Sequence, residues 1–163
     1  SPHATTEILF WLLGSLADRG MNHVLWGLPL MLVGVVLLLS AGRALDALSM
    51  GEDTARSLGF NLTSVRFRII AGATLAVGAG VAVSGSIGFV GLVVPHILRP
   101  LVGYQPARLL LASALGGAIL LLLADMGLRL ASDQVDLKLG VVTALVGAPF
   151  FLHLVLKTRR MTV

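Results

Sequence analysis

The sequence predicts an all-α, polytopic helical membrane protein with about five transmembrane segments. Hydrophobic residues make up 56% of the 163 positions and charged residues only 12%, whereas a soluble domain carries about 25% charged residues. The chain has 19 glycines, and glycine is more frequent in membrane helices than in soluble ones. The apolar residues lie in long runs separated by short polar segments, so lipid is expected to cover much of the chain.

The lengths of the apolar runs give the predicted spans, because a spanning helix needs about 20 mostly apolar residues. Three runs each fit one helix: 24–42, 109–128 and 139–156. The run 69–98 is too long for one ordinary span, and the letters SGSIG at 84–88 interrupt it. We therefore expect a hairpin of two spans there, at 69–84 and 87–99.

The distribution of Lys and Arg supports this hairpin. With it, segments 43–68, 99–108 and 157–163 share one side of the membrane and carry nine basic residues, against three on the other side. A single crossing would put six on each side. Because cytoplasmic loops carry excess Lys and Arg, we expect loop 43–68 and the C-terminus in the cytoplasm, and 1–23 and 129–138 outside.

The residues before the first span are predicted to lie on the membrane rather than in it. Segment 7–17 is apolar but too short to cross, and an interfacial helix with Trp11 at headgroup level fits it. The chain begins with Ser1 and has no basic region before an apolar core, so it does not resemble a signal peptide. We expect a missing N-terminal part to precede it.

Loop 43–68 is the longest polar stretch and is predicted to contain two short helices. The second, at 52–58, has Glu52 and Asp53 in its first turn, where a helix N-terminus favours anions. Gly59 fits the position just after its C-terminus. A loop with helices of its own is expected to be a docking surface rather than a simple connector.

The segment GSIGFVGLVVPHILR at 85–99 is the most informative motif. Pro95 frees a backbone carbonyl one turn back, which a membrane tolerates only where another group satisfies it. His96 and Arg99 share a face at the predicted cytoplasmic end, and such a histidine is more often a packing residue than a ligand. Three glycines are expected to form one small face for close helix packing: Gly85, Gly88 and Gly91.

This motif resembles the signature of the FecCD family, the permease subunits of ABC importers for iron-siderophores, haem and cobalamin. MGEDTARSLG at 50–59 is similar to the family's cytoplasmic loop, LLLADMGLR at 121–129 to its Ala-Asp-x-x-x-Arg segment, and LGVVTALVGAPFFLHLVLK at 139–157 to its final span. The resemblance covers nearly the whole chain. It implies that residues 1–163 are the C-terminal half of a multi-pass permease of the bacterial inner membrane.

The resemblance implies a transport subunit, not an enzyme. A separate ATPase subunit would bind ATP and Mg, a periplasmic substrate-binding protein would deliver the substrate, and a second permease copy would complete a homodimer in the lipid bilayer. The substrate would be an iron complex (siderophore or haem) or cobalamin. This chain is expected to hold no cofactor, no metal and no catalytic residue.

Four groups of site residues follow from the same resemblance. Loop 43–68 would hold the coupling helices, with ATPase contacts at Leu48, Met50, Gly51, Glu52, Asp53, Ala55, Arg56, Leu58 and Gly59. The signature motif comprises Gly88, Phe89, Gly91, Pro95, His96 and Arg99. Arg129 would meet the substrate-binding protein. Small residues of the last span, Gly140, Thr143, Gly147 and Ala148, would border the pathway or the dimer partner.

The residues also leave alternatives open. Asp125 is the one carboxylate inside an apolar run. It could carry protons in a secondary transporter fragment, or form a structural ion pair with Arg129 one turn later. A non-transporting membrane interaction subunit is a further alternative. The four histidines lack metal-ligand spacing and the chain has no P-loop. Nine aromatics, mostly inside apolar runs, argue against nucleic-acid binding.

Overall fold

The structure, a computed structural model, describes residues 8, 13–16, 19–131 and 138–159. Within them seven helices have defined bounds and no strand is present: α1 Met21–Ser40, α2 Gly42–Leu48, α3 Glu52–Ser57, α4 Leu62–Ser84, α5 Val90–Leu98, α6 Pro106–Ala131 and α7 Leu139–Arg159. The predicted all-α class is confirmed.

Helices α1, α4 and α6 are long and apolar enough to cross a membrane, and α7 contains a shorter apolar stretch, Leu139–Leu154. These helices bury little surface against each other. Within the most apolar window, 11% of residues are buried in α1 and α4, and none in α6. A helix with so little protein cover needs lipid or further protein around it.

Helix α4 begins earlier than the predicted start at 69. The side-chain oxygen of Asn61 accepts a hydrogen bond from the Ser64 N–H at 3.2 Å, which is an N-cap that satisfies one of the free donors of the first turn. The α2–α3 loop, as we call residues 41–61, is therefore shorter than the predicted loop 43–68. Residues 62–68, which were predicted to belong to the loop, form the first turns of α4.

Helices α1 and α4 pack antiparallel through glycines. A Cβ added to Gly34 would lie 2.6 Å from the Ala76 nitrogen and 2.7 Å from the Gly72 carbonyl oxygen. Further along, a Cβ on Gly27 would lie 2.7 Å from a methyl group of Val83. Without side chains at these positions the two backbones approach closely, as small residues allow in membrane helices.

The predicted span 87–99 is instead the nine-residue helix α5. At 1.5 Å per residue it is about 14 Å long, well short of a hydrocarbon core about 30 Å thick. Gly85, at φ 74°, ends α4, and Phe89, at φ 66°, precedes α5. The prediction of one small-residue face was wrong, because Gly85 and Gly88 lie outside any helix.

The irregular segment 85–88 lies against other parts of the chain. A Cβ added to Gly14 would lie 2.5 Å from the Ser86 carbonyl oxygen and 3.0 Å from the Ile87 side chain. Beside this contact, the Ser15 N–H donates to the Ser84 carbonyl at 2.7 Å. Most of the predicted interfacial helix 7–17, including Trp11, falls outside the described residues. Non-helical backbone at membrane depth is tolerated where protein covers it, and here segment 13–16 contributes that cover.

The helix directions put three segments at one end of the bundle. Helix α5 contacts α6, since a Cβ on Gly116 would lie 2.7 Å from Leu98, and the short turn at 99–105 joins the two helices antiparallel. Helix α7 runs in the same direction as α5, because Gly147 faces Phe89 and Phe150 faces His96 further along both helices. The α2–α3 loop, the turn at 99–105 and the C-terminal end of α7 therefore share an end, in the hairpin arrangement that the charges predict.

Candidate functional site

The α2–α3 loop folds around a small apolar core of its own. Ala47, Ala55 and Leu62 are buried, and Leu48 and Phe60 pack against them. This core holds α2 against α3 and both against the start of α4. The loop is therefore a preformed surface with a fixed shape.

Two glycines with positive φ shape this loop. Gly51, at φ 114°, precedes α3, and Gly59, at φ 85°, follows it. The Gly59 N–H donates to the Arg56 carbonyl at 2.9 Å and the Phe60 N–H to the Ala55 carbonyl at 3.1 Å, which is the hydrogen-bond pattern of a Schellman motif. The predicted position of Gly59 just after the helix end is confirmed.

The predicted coupling residues divide into two sets. Ala55 is fully buried and Leu48 half-buried, so these two stabilise the loop from inside. Met50 and Leu58 are 64% and 60% exposed, which makes them apolar side chains on the outside of the loop. The remaining five are exposed as well: Gly51, Glu52, Asp53, Arg56 and Gly59.

Charged side chains surround α3. Arg56 lies 3.6 Å from the Glu52 carboxylate and 3.9 Å from the Asp53 carboxylate. Arg66, on α4, lies 2.7 Å from Glu52. Because these pairs are exposed and screened by solvent, they contribute little to stability. They orient the charged groups without fixing the fold.

Helix α2 also contacts the first turn of α6. The Ala107 N–H donates to Asp46 Oδ1 at 2.9 Å, and a Cβ added to Gly42 would lie 3.1 Å from the Ala107 Cβ. The sequence analysis did not identify Asp46, whose partner is 61 residues away. The sequence did indicate that α6 needs a cap from elsewhere. Pro106 suits the first position of a helix, but Gln105 before it is not among the favoured capping residues.

Phe89 of the signature motif packs against the last helix. Its φ of 66° is unusual for a bulky residue, and it directs the ring toward α7. A Cβ on Gly147 would overlap the Phe89 Cβ and lie 2.5 Å from its Cγ. The structure thus brings together two residues that the sequence assigned to separate groups.

The other end of the motif forms an open groove between α5 and α7. The rings of His96 and Phe150 meet edge to face with centroids 6.4 Å apart. Pro95, Arg99 and Leu154 also line this groove, whose volume is about 240 Å³. Among the described residues no group of His, Cys, Asp or Glu could hold a metal ion. The packing interpretation of His96 matches this geometry.

Asp125 and Arg129 form the expected ion pair on α6, with Arg129 Nε 2.7 Å from Asp125 Oδ2. The Asp125 side chain is 20% exposed and that of Arg129 is 66% exposed. The expected ion pair is therefore present, and the role of Asp125 stays a prediction. Arg129 keeps most of its surface free for another contact.

The small residues of α7 contact their own chain at two positions. A Cβ on Gly140 would overlap the Leu13 carbonyl, and Gly147 faces Phe89. The Thr143 hydroxyl donates to the Gly140 carbonyl at 3.1 Å, and Ala148 is exposed. The sequence predicted that a partner helix would pack closely against these small residues. At both glycines, residues of the same chain occupy that space instead.

Comparison with known families gives one match that covers nearly all of the chain. The model of the FecCD transport family matches residues 1–157. The chain is 40% identical over 158 residues to the Fe(3+) dicitrate transport system permease protein FecD of Escherichia coli, covering 97% of this chain and 50% of that protein. It is 45% identical over 151 residues to the vitamin B12 import system permease protein BtuC of Vibrio cholerae, covering 93% of this chain and 45% of that protein.

A third relative, the hemin transport system permease protein HmuU of Yersinia pestis, is 40% identical over 153 residues, or 94% of this chain and 46% of its own length. Among solved structures, a metal-chelate type ABC transporter in an inward-facing conformation has a TM-score of 0.83 and 39% identity. That match covers 93% of this chain and 50% of the other. The chain spans about half the length of the curated relatives it matches.

Proposed function

Because the chain belongs to the FecCD transport family, we propose that it is the C-terminal half of the membrane permease of an ATP-driven importer. The relatives named for ferric dicitrate, vitamin B12 and hemin support an iron complex or cobalamin as the substrate. ATP and Mg would be bound by a partner ATPase, since this chain has no P-loop. A second copy of the permease would complete the pathway in the inner membrane.

The observation that carries this proposal is the α2–α3 loop. It is folded on its own core, and it presents the apolar side chains of Met50 and Leu58 beside the charged groups of α3. Exposed apolar residues within a charged rim are typical of a protein docking site. We propose that the ATPase subunit binds here and that closure of the ATPases moves the loop and the spans together.

The orientation follows from the charges. The end of the bundle with the α2–α3 loop carries most of the basic residues, so it would face the cytoplasm with the C-terminus. The opposite end would face the periplasm. There Arg129, which is 66% exposed although paired with Asp125, is proposed to meet acidic groups of the substrate-binding protein.

The test uses the full-length permease with its ATPase and binding protein in liposomes. Uptake of radiolabelled ferric complex or cobalamin is expected to require ATP. Leu58→Glu and Arg56→Glu should lower both ATPase binding and uptake, because they place unmatched charge in the contact. Leu101→Glu is the matched control, since Leu101 is 77% exposed at the same end of the bundle but outside the loop.

The outcomes separate the alternatives. Uptake driven by a proton gradient alone, and lost in Asp125→Asn, would show a secondary transporter. Stable binding of the ATPase without uptake of any tested substrate would show an interaction subunit. Equal ATPase binding and uptake in Leu58→Glu, Arg56→Glu and Leu101→Glu would refute the proposed docking surface.

A further inference from the structure

Helix α6 lacks a suitable capping residue in its own sequence. The Leu109 N–H donates to the Gln105 carbonyl at 2.9 Å, which makes Gln105 the N-cap. Glutamine is not among the side chains favoured there, and Pro106 has no N–H to offer. The free Ala107 N–H is instead satisfied by Asp46 Oδ1 at 2.9 Å. The cap of a membrane-spanning helix is thus supplied by the α2–α3 loop.

A second contact lies one turn before Asp46 on the same face of α2. Gly42 is buried, and a Cβ at its position would lie 3.1 Å from the Ala107 Cβ and 3.5 Å from its Cα. Residues four apart on a helix face the same way. Gly42 and Asp46 therefore hold α2 on the first turn of α6 by contact and by hydrogen bond together.

We propose that Asp46 is a positioning residue that makes the α2–α3 loop and the first turn of α6 one rigid body, so that displacement of the loop moves α6 directly. The apolar core around Ala47 and Ala55 joins α3 to α2, and Asp46 joins α2 to α6. The loop thus has three connections to the spans: the covalent ones to α1 and to α4, and this one. The inference rests on the proposed function, because it specifies where ATP-driven displacement enters the membrane.

The first test replaces Asp46 in the full-length permease assembled with its ATPase and binding protein in liposomes. Asp46→Ala should lower substrate uptake per ATP hydrolysed by roughly tenfold, the scale on which one charge-assisted hydrogen bond shifts an equilibrium, while ATPase binding stays unchanged. Asp46→Asn keeps an acceptor oxygen but loses the charge, so it should fall between Asp46→Ala and wild type. The control is Ser40→Ala, because the Ser40 hydroxyl bonds only within its own helix, to the Leu37 carbonyl at 2.7 Å.

The second test restores the connection between α2 and α6 with a disulfide bond. The 163 residues contain no cysteine, and the Gly42–Ala107 separation is close to the 3.5–4.5 Å that Cβ atoms need in a disulfide. Gly42→Cys with Ala107→Cys, in a background otherwise free of reactive cysteine, should form a disulfide on oxidation. In the Asp46→Ala background the oxidised protein should regain uptake per ATP, and reduction should remove the gain.

These results have distinct meanings. Wild-type uptake per ATP in Asp46→Ala, or a formed disulfide that does not restore it, would overturn the role of Asp46. If Asp46→Ala does not fold, the disulfide in the wild-type background decides: retained uptake supports one rigid body, and lost uptake shows that α2 must move on α6. Absence of ATP-dependent uptake in the wild type would instead overturn the proposed function.

Discussion

The contact between Phe89 and Gly147 gives a sharp test of how α5 and α7 are joined. The perturbation is Gly147→Ala, which adds a single methyl group. That carbon would overlap the Phe89 Cβ and lie 2.5 Å from its Cγ. The Cβ is fixed by the backbone, so no change of side-chain rotamer can move it away. Either the two helices separate or the backbone of Phe89, already at φ 66°, is distorted.

The magnitude follows from two opposing terms. Replacing Gly by Ala inside a helix stabilises it by about 0.8–1 kcal/mol. Inserting a carbon into a filled contact costs about 1–3 kcal/mol. The matched control is Gly127→Ala on α6, where an added Cβ meets nothing within 4 Å, so only the favourable term applies. The two variants should therefore differ by about 1–3 kcal/mol in the free energy of unfolding.

The assay is the thermal midpoint of the purified full-length protein in detergent, with a shift on the order of 2–4 °C per kcal/mol. Gly147→Ala should melt several degrees below Gly127→Ala. Adding Phe89→Gly should remove most of the penalty, because glycine has no Cβ and accepts positive φ. Equal midpoints for the two single variants would refute the close contact, and no rescue by Phe89→Gly would show that Phe89 does not cause it.

Three further outcomes are expected from melting experiments on the same protein. Gly59→Ala should cost about 1–2 kcal/mol, because L residues pay this in the left-handed region, and Gly59→Asn should cost less; equal melting of the two would contradict the strain argument. Arg129→Gln should destabilise by leaving the partly buried Asp125 unpaired, and adding Asp125→Asn should recover stability; additive losses would contradict the pairing. Glu52→Gln should change stability by less than about 1 kcal/mol, since its pair with Arg66 is exposed, so a larger loss would assign Glu52 a structural role.

The sequence predicted the long helices because each is a nearly continuous apolar run. It misplaced the start of α4 because the segment LTSVRFR at 62–68 contains polar and basic residues. Asn61 caps this segment as a helix, and Arg66 is directed to Glu52 on the neighbouring α3. The second helix of the loop was visible in the pattern, since Glu52, Asp53 and Gly59 are local start and stop signals.

The bounds of α5 and the packing of the α2–α3 loop could not be predicted from the sequence pattern. The small residues at 84–88 predicted the interruption, but the positive φ of Phe89 and the late start of α5 at Val90 depend on what this segment contacts. Resemblance placed Ala55 among the coupling residues, but no local pattern indicates that this alanine is fully buried. Met50 and Leu58 are apolar as well, but they lie just outside the ends of α3 and face away from the core of the loop.

Two glycines on one face of α7 can accommodate either a partner helix or residues of the same chain. Gly140 and Gly147 are seven residues apart, close to two helical turns, and so share one face. That face is already occupied by Leu13 and Phe89 of the same chain. Leu145 and Leu152, 75% and 60% exposed, are also seven residues apart and lie more than a quarter turn around the helix. A second permease copy that packed on α7 would therefore need a face other than the glycine face, and the leucine face is one that this chain leaves exposed.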